Sequence, residues 1–166
     1  MKRLVTKRLT LQEAQKENLQ QVFEIWSDSE AGKYMFDTHW ASADELAVIL
    51  EGGENYFSFV ALLPDSDDVV ATCRISSERT DGEWDIGYNV HKDHWGKGFA
   101  TEMVKGLLSF AKELEATSVV ASVAQANVAS CKVLEKCGFV IDGESSFTKK
   151  STDIVYACNN YRFIIV

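Results

Sequence analysis

Hydrophobic and polar positions repeat with two different periods along this chain, and the switches between them mark out its elements. Leu9 and Leu11 alternate with polar neighbours, which predicts a short strand over 8–12. Leu19, Val22, Phe23 and Trp26 recur at helical spacing and predict a helix over 17–27. Ser42-Ala43-Asp44-Glu45 reads as a capping box, so a second helix is expected from there to about residue 51, stopped by Gly52 and Gly53. Residues 56–63 and 69–76 are apolar runs rich in strand formers, separated by the turn Pro64-Asp65-Ser66-Asp67-Asp68. They predict a hairpin, with a further strand over 84–90 beside it. An amphipathic helix over 100–114 and a buried strand over 118–124 follow. Asn127 opens another helix, which Gly138 ends as a C′ glycine. Residues 139–144 predict a strand, and 145–166 hold one or two more: 154–158, with 161–166 as the optional second. The order β-α-α-β-β-β-α-β-α-β-β points to an α/β (α+β) sheet covered by helices.

Composition narrows the class. The 166 residues suit one domain, 1–166, and 46% hydrophobic residues are enough to fill its core. A single proline and no low-complexity run leave no evident linker. The start, Met1-Lys2-Arg3-Leu4-Val5-Thr6-Lys7-Arg8, is basic but lacks the apolar run of a signal peptide, and no run of about 18 apolar residues exists. A cytoplasmic protein with no membrane partner is expected. The net charge of −8 argues against nucleic acid as a partner, because counterion replacement needs clustered Lys and Arg. It suits a cationic substrate such as an amine, although an acidic surface also serves solubility alone. Cys73, Cys131, Cys137 and Cys158 show no metal-ligand spacing, so buried thiols and no metal are expected.

The chemistry concentrates at His94-Trp95-Gly96-Lys97-Gly98-Phe99-Ala100-Thr101, between the strand over 84–90 and the helix over 100–114. The first N–H groups of a helix have no intrahelical partner, and the helix dipole adds positive charge at the same end. An anion placed there is stabilised by both, and Gly96 and Gly98 lack the Cβ atoms that would block close backbone approach. Two common phosphate loops do not fit. Walker A requires G-x-x-x-x-G-K-[ST], whereas Gly98 follows Gly96-Lys97. The dinucleotide fingerprint G-x-G-x-x-G/A meets Thr101 at its third glycine position, and its strand normally opens a βαβ unit. Taken alone, the segment also reads as a tight turn before a helix.

A second motif changes that balance. Trp-Gly-Lys-Gly-Phe-Ala-Thr-Glu at 95–102 is followed by Asn-x-x-Ser-x-x-x-Leu-Glu-Lys-x-Gly-Phe at 127–139. Together they resemble the GNAT superfamily of acetyl-CoA-dependent N-acetyltransferases, and most resemble its ribosomal-protein N-terminal acetyltransferase-like (Rim-type) subgroup. Asp85-Ile86-Gly87-Tyr88 is similar to that subgroup as well. The likeness covers 56–145, with the N-terminal third matching in layout only. It implies a mixed, mostly antiparallel central sheet of roughly six to seven strands with about four helices, splayed between its fourth and fifth strands. It implies acetyl-CoA as co-substrate, an amine acceptor, and a monomer or homodimer.

Residue by residue, the resemblance places the CoA diphosphate on the backbone of Gly96, Lys97, Gly98, Phe99, Ala100 and Thr101. Tyr88, Asn89 and Val90 would pair main chain to amide with the pantetheine arm. Asn127 would touch that arm while capping its own helix. Many family members carry a Tyr as general acid where this chain has Leu134, so Ser130 becomes the candidate acid. Asp85, Glu83 and His91 are candidate bases for the amine proton; a water chain is the other option, since the fifth strand offers Ser122 where some relatives have Glu. Tyr34, Phe36, Asp37, His39 and Trp40 form an aromatic-rich segment that would wall the acceptor site or simply fill core. The leading expectation is acetyl transfer to a primary amine. The alternative is a non-catalytic CoA-binding sensor or partner module on the same fold.

Overall fold

The computed structural model describes residues 1–36 and 41–166. The strands are β1 (Arg3–Val5), β2 (Thr10–Glu13), β3 (Tyr56–Leu62), β4 (Val69–Ser76), β5 (Glu83–Val90), β6 (Ser118–Ala124), β7 (Val140–Lys149) and β8 (Ile154–Ile164). They form one eight-stranded sheet in the order β1-β2-β3-β4-β5-β6-β8-β7. Helices α1 (Leu19–Ser27), α2 (Phe99–Glu113) and α3 (Val128–Lys136) and a 3₁₀ helix, Ala43–Leu50, cover it. No helix among the described residues is long and apolar enough to cross a membrane.

The apolar positions of β3 and β4 point to both faces, because both faces are covered. Phe59, Ala61, Ala71, Cys73 and Ile75 pack with Met103, Leu107 and Phe110 of α2. Val60, Leu62 and Val69 pack with Leu19, Val22 and Ile25 of α1 and with Leu46 and Ile49 of the 3₁₀ helix. A strand buried on both sides reads as a continuous apolar run, which is why 69–76 shows little alternation.

All strand neighbours run antiparallel except β5 and β6, which the crossover through α2 makes parallel. That pairing covers Glu83↔Ser118, Trp84↔Val119 and Asp85↔Val120 and then stops. Beyond Asp85, β5 stays on β4 while β6 follows β8 as far as Ala124↔Cys158. A wedge opens between them, in the place where the family resemblance puts the splay.

The structure departs from the sequence reading in four places. β1 pairs with β2 through Arg3↔Gln12 to Val5↔Thr10, but three residues are too few to show a period. β7 continues to Lys149, well past 144, because its outer face is exposed and carries polar residues. The two C-terminal runs are one strand, β8, with Asn159 and Asn160 inside it. The capping box does not form: Ser42 makes no side-chain cap bond, and Glu45 Oε2 accepts from Ala41 N–H at 3.0 Å. The segment is 3₁₀ rather than α, and its buried Leu46 and Ile49 stand three apart, as side chains eclipse in that helix.

The end of α3 follows the sequence closely. Gly138 adopts φ +91°, its N–H donates to Glu135 O at 3.1 Å, and Phe139 N–H donates to Leu134 O at 3.1 Å, a Schellman motif. A Cβ at 138 would also stand 3.3 Å from Phe163 Cε2. Gly138→Ala is therefore expected to cost about 1–2 kcal/mol of stability, read as a lower urea midpoint with an unchanged slope.

Candidate active site

The wedge and the Gly-rich loop meet at the C-terminal end of β5. His91 caps a 3₁₀ turn, Lys92–His94, its Nδ1 accepting from Asp93 N–H at 3.1 Å. Trp95 Nε1 then donates to Val90 O at 2.8 Å and pins the loop to the strand. Gly96 and Gly98 follow with φ of +74° and +79°, a region that favours glycine. A Cβ on Gly96 would meet nothing within 4 Å, so the backbone here borders open space. The first intrahelical bond of α2 is Glu102 N–H to Gly98 O at 3.1 Å. Phe99, Ala100 and Thr101 thus present their N–H groups at the start of a 15-residue helix, an arrangement that favours an anion. Beside it lies an open groove of ≈ 510 Å³ with Lys7, Arg8 and Lys97 around an apolar floor of Leu63, Pro64 and Phe99.

The helix start is braced from behind by the turn between β1 and β2. Glu102 accepts from Thr6 Oγ1 at 2.6 Å, Arg8 N–H at 2.5 Å and Arg8 Nε at 2.8 Å. Arg8 Nη1 also donates to Lys97 O at 2.7 Å, and its guanidinium lies 4.8 Å from the Phe99 ring centroid. Burial acts to raise the Glu102 pKa, but the hydrogen bonds from Thr6 and Arg8 and the Arg8 charge outweigh it and hold the carboxyl below its ordinary range.

β5 divides its side chains between the two faces of the sheet. Tyr88 faces α2 and α3, and burial pushes its phenol well above the ordinary range. Its Oη lies 2.8 Å from Ser130 Oγ and 3.2 Å from Ser130 O. Asn127 caps α3, its Oδ1 accepting from Ser130 N–H at 3.3 Å. His91 N–H donates to Val70 O at 2.9 Å, so by antiparallel alternation the main chain of Tyr88 and Val90 faces away from β4, toward the wedge. The opposite face carries Asp85 and Asn89. Asp85 pairs with Arg74 at 2.6 Å, and burial raises its carboxyl pKa despite the guanidinium. Asp85 is also the last β5 residue paired to β6, so it stands at the vertex of the wedge. Glu83 lies deeper in the paired region, held by Arg162 at 2.7 Å and Arg79 at 3.7 Å. His91 stands at the far end, beyond the strand. The three candidate bases are thus spread along β5, and only Asp85 is at the vertex.

Residues 28–36 cross the mouth of the wedge on the Asp85 face. Asp28 pairs with Lys92 at 3.0 Å, Asn89 Nδ2 donates to Ala31 O at 2.9 Å, and Tyr34 Oη donates to Ala126 O at 3.3 Å. Lys149, a buried lysine on β7, donates from Nζ to Gly32 O at 2.8 Å and Lys33 O at 2.7 Å; its burial lowers its pKa. Tyr34 packs edge-on against Tyr156 and Phe36 against Phe147. These two aromatics therefore pack against β7 and β8 beside the wedge; Asp37, His39 and Trp40 lie outside the described residues. On β6, Ser122 shares its hydroxyl with Ser145 at 3.3 Å and Asn160 at 3.1 Å.

The family model of the acetyltransferase (GNAT) domain matches residues 8–140. The chain belongs to the GNAT acetyltransferases. An uncharacterized N-acetyltransferase of Bacillus licheniformis, p20, is 33% identical over 153 residues, covering 86% of this chain and 85% of its own. YnaD of Bacillus subtilis, also an uncharacterized N-acetyltransferase, is 26% identical over 142 residues, 84% of each chain. Among solved structures, a GNAT-family acetyltransferase of Bacillus anthracis superposes with a TM-score of 0.83 at 20% identity over 98% of both chains. The spermidine N-acetyltransferase of Vibrio cholerae, solved with CoA and spermine, gives 0.83 at 18% identity over 95% of both. At those identities the structures establish the fold, and the N-acetyltransferase relatives agree with an enzyme.

Two features of this acetyltransferase escaped the sequence reading. The first is the Tyr88 hydroxyl, for which the only signal in the sequence is alternation with Trp84 and Ile86 along the strand. The Thr6–Arg8–Glu102 brace joins residues 94 or more positions apart, and nothing local signals it. Glu102→Ala is expected to lose about 1–3 kcal/mol of stability at neutral pH. Because the folded pKa is depressed, that contribution is present above the unfolded carboxyl pKa and lost as pH falls through the folded one. Urea titrations of variant and wild type should therefore converge in acid.

Proposed function

We propose that this enzyme moves an acetyl group from acetyl-CoA to a primary amine, a protein N-terminus or a small-molecule amine, by direct attack on the thioester. The carrying observation is spatial: an anion-binding helix start opens onto a strand wedge with two hydroxyls on one face and a raised-pKa carboxylate on the other. Membership in the family, the N-acetyltransferase relatives and the Rim-type motifs support this reading. The acidic composition and the expected cytoplasmic location are consistent with it.

The residues fit the co-substrate. The backbone of Gly96 to Thr101 would hold the diphosphate, with Lys97 and Lys7 adding positive charge. Tyr88, Asn89 and Val90 would order the pantetheine arm along the open edge of β5, and the Asn127 side chain would contact it while capping α3. When bound, acetyl-CoA supplies the activated acyl group. Main-chain N–H on β5 would polarise the acyl oxygen. Holding donor and amine together replaces a bimolecular encounter. Asp85 would take the proton of the attacking nitrogen, and its raised pKa makes it a better base than an ordinary carboxylate. Ser130 would donate to the departing sulfur. Tyr34 and Phe36 would wall the acceptor.

Two outcomes follow. Gly98→Val puts a β-branched residue at φ +79° and its methyls into the diphosphate site. Calorimetric CoA binding is expected to vanish while far-UV circular dichroism stays native; wild-type affinity in a folded variant would sink the loop assignment. With amine acceptors in excess, thiol release should rise with pH as the raised Asp85 carboxyl and the amine deprotonate, and Asp85→Asn should flatten the acid limb. Matched alcohols should react far more slowly. Faster turnover with the alcohol, or a rate indifferent to pH, would refute amine acetylation by this route.

A further inference from the structure

We infer that Tyr88 is a positioning residue for this reaction: its hydroxyl locks the Ser130 hydroxyl in the rotor that presents a hydrogen to the sulfur. The inference rests on the acetyl-transfer reading above.

The two hydroxyls come from opposite sides of the wedge, Tyr88 from β5 and Ser130 from the first turn of α3. They meet at 2.8 Å, while Tyr88 Oη stands farther, at 3.2 Å, from Ser130 O. A phenol has one hydrogen to donate. The Ser130 carbonyl already belongs to the helix ladder, so the hydroxyl oxygen is the better acceptor. Tyr88 remains a donor at any working pH, because burial disfavours its phenolate and its titratable neighbours, Cys131, Cys137 and Tyr161, offer no cation to offset that. With the phenol hydrogen assigned to the shorter of the two contacts, Ser130 Oγ accepts from Tyr88 and its own hydrogen points elsewhere. The Ser130 main chain is held by Asn127, which leaves hydroxyl rotation as the remaining freedom. Without the phenol hydroxyl, a helical serine turns to bond the carbonyl a turn back, and the donor is lost from the wedge.

In the chemical step the carbon–nitrogen bond forms and the carbon–sulfur bond breaks, its electron pair going to sulfur. Ser130 gives its hydrogen to that sulfur and regains a proton from solvent. The proton shed by the nitrogen leaves through Asp85. Each turnover thus protonates sulfur once and deprotonates nitrogen once. Tyr88 exchanges no proton and touches no reacting atom.

The test is a double-mutant cycle of Tyr88→Phe, Ser130→Ala and the pair, with thiol release measured across an amine panel. Tyr88→Phe keeps the ring and removes only the hydroxyl, and its melting temperature checks the fold. It is expected to lower kcat about tenfold or more, with the KM for acetyl-CoA and the calorimetric CoA affinity within about twofold of wild type. In the Ser130→Ala background, adding Tyr88→Phe is expected to change kcat by less than about twofold, because the group it positions is gone. An unchanged kcat, a loss expressed in KM, or the same loss in both backgrounds overturns the assignment while acetyl transfer stands. A wild-type enzyme that releases no thiol with any amine overturns the acetyl-transfer reading itself, and this inference with it.

Discussion

The parallel pairing of β5 with β6 lasts only from Glu83 to Asp85, and the site depends on its ending there. Were the ladder to continue, the main chain of Tyr88 and Val90 would be spent on β6, and α3 would have no opening to face. Because it stops, an open strand edge, a helix start and a second helix converge on one gap. The termination needs no special residue at the vertex. β6 is drawn into a seven-residue antiparallel ladder with β8, whereas β5 keeps six antiparallel partners on β4. Each strand is more fully paired with its outer neighbour than with the other.

The pleat of β5 also sets a pair of hydroxyls apart from a carboxylate. Pleating sends Tyr88 toward α3 and Asp85 toward α1 and the 28–36 segment, so donor and carboxylate lie on opposite sides of one strand. The two sides differ in environment. Tyr88 is partly buried among neutral groups, and that burial pushes its phenol upward. Asp85 stays near Arg74, yet burial still prevails over the guanidinium. The start of α2 is braced from the chain behind it, where Glu102 accepts from Thr6 and Arg8.

The 28–36 segment that crosses the wedge is held by more distant parts of the chain. Asp28, Ala31, Gly32, Lys33 and Tyr34 are tied to β5, to β7 through Lys149, and to the chain just before α3. Burying an ammonium is costly unless it is well hydrogen-bonded, and Lys149 meets that condition with two carbonyls of the same segment. The segment is thereby anchored across the wedge rather than packed by apolar contact alone.

The sequence by itself determined the local grammar. Period-two and helical spacings located α1, α2, α3 and the β3–β4 hairpin, because their burial is one-sided or continuous and leaves a pattern. Gly96 and Gly98 before an amphipathic helix announced the anion site, and Gly138 announced the end of α3, because positive φ is written directly in residue type. The two motifs carried the family. Where the local signal was weak, the reading fell short: β1 is too short, the exposed β7 lacks alternation, and the capping box at Ser42 lost to a bond between Glu45 and Ala41. Only the tertiary structure decided which candidate groups meet. Tyr88 and Ser130 are 42 residues apart, Arg8 and Glu102 are 94 apart, and Lys149 and Gly32 are 117 apart. Asp85, Glu83 and His91 are equal on paper and separate only when the ladder ends after Asp85. Contacts of that separation are set by packing of the whole sheet, which no local window of residues encodes.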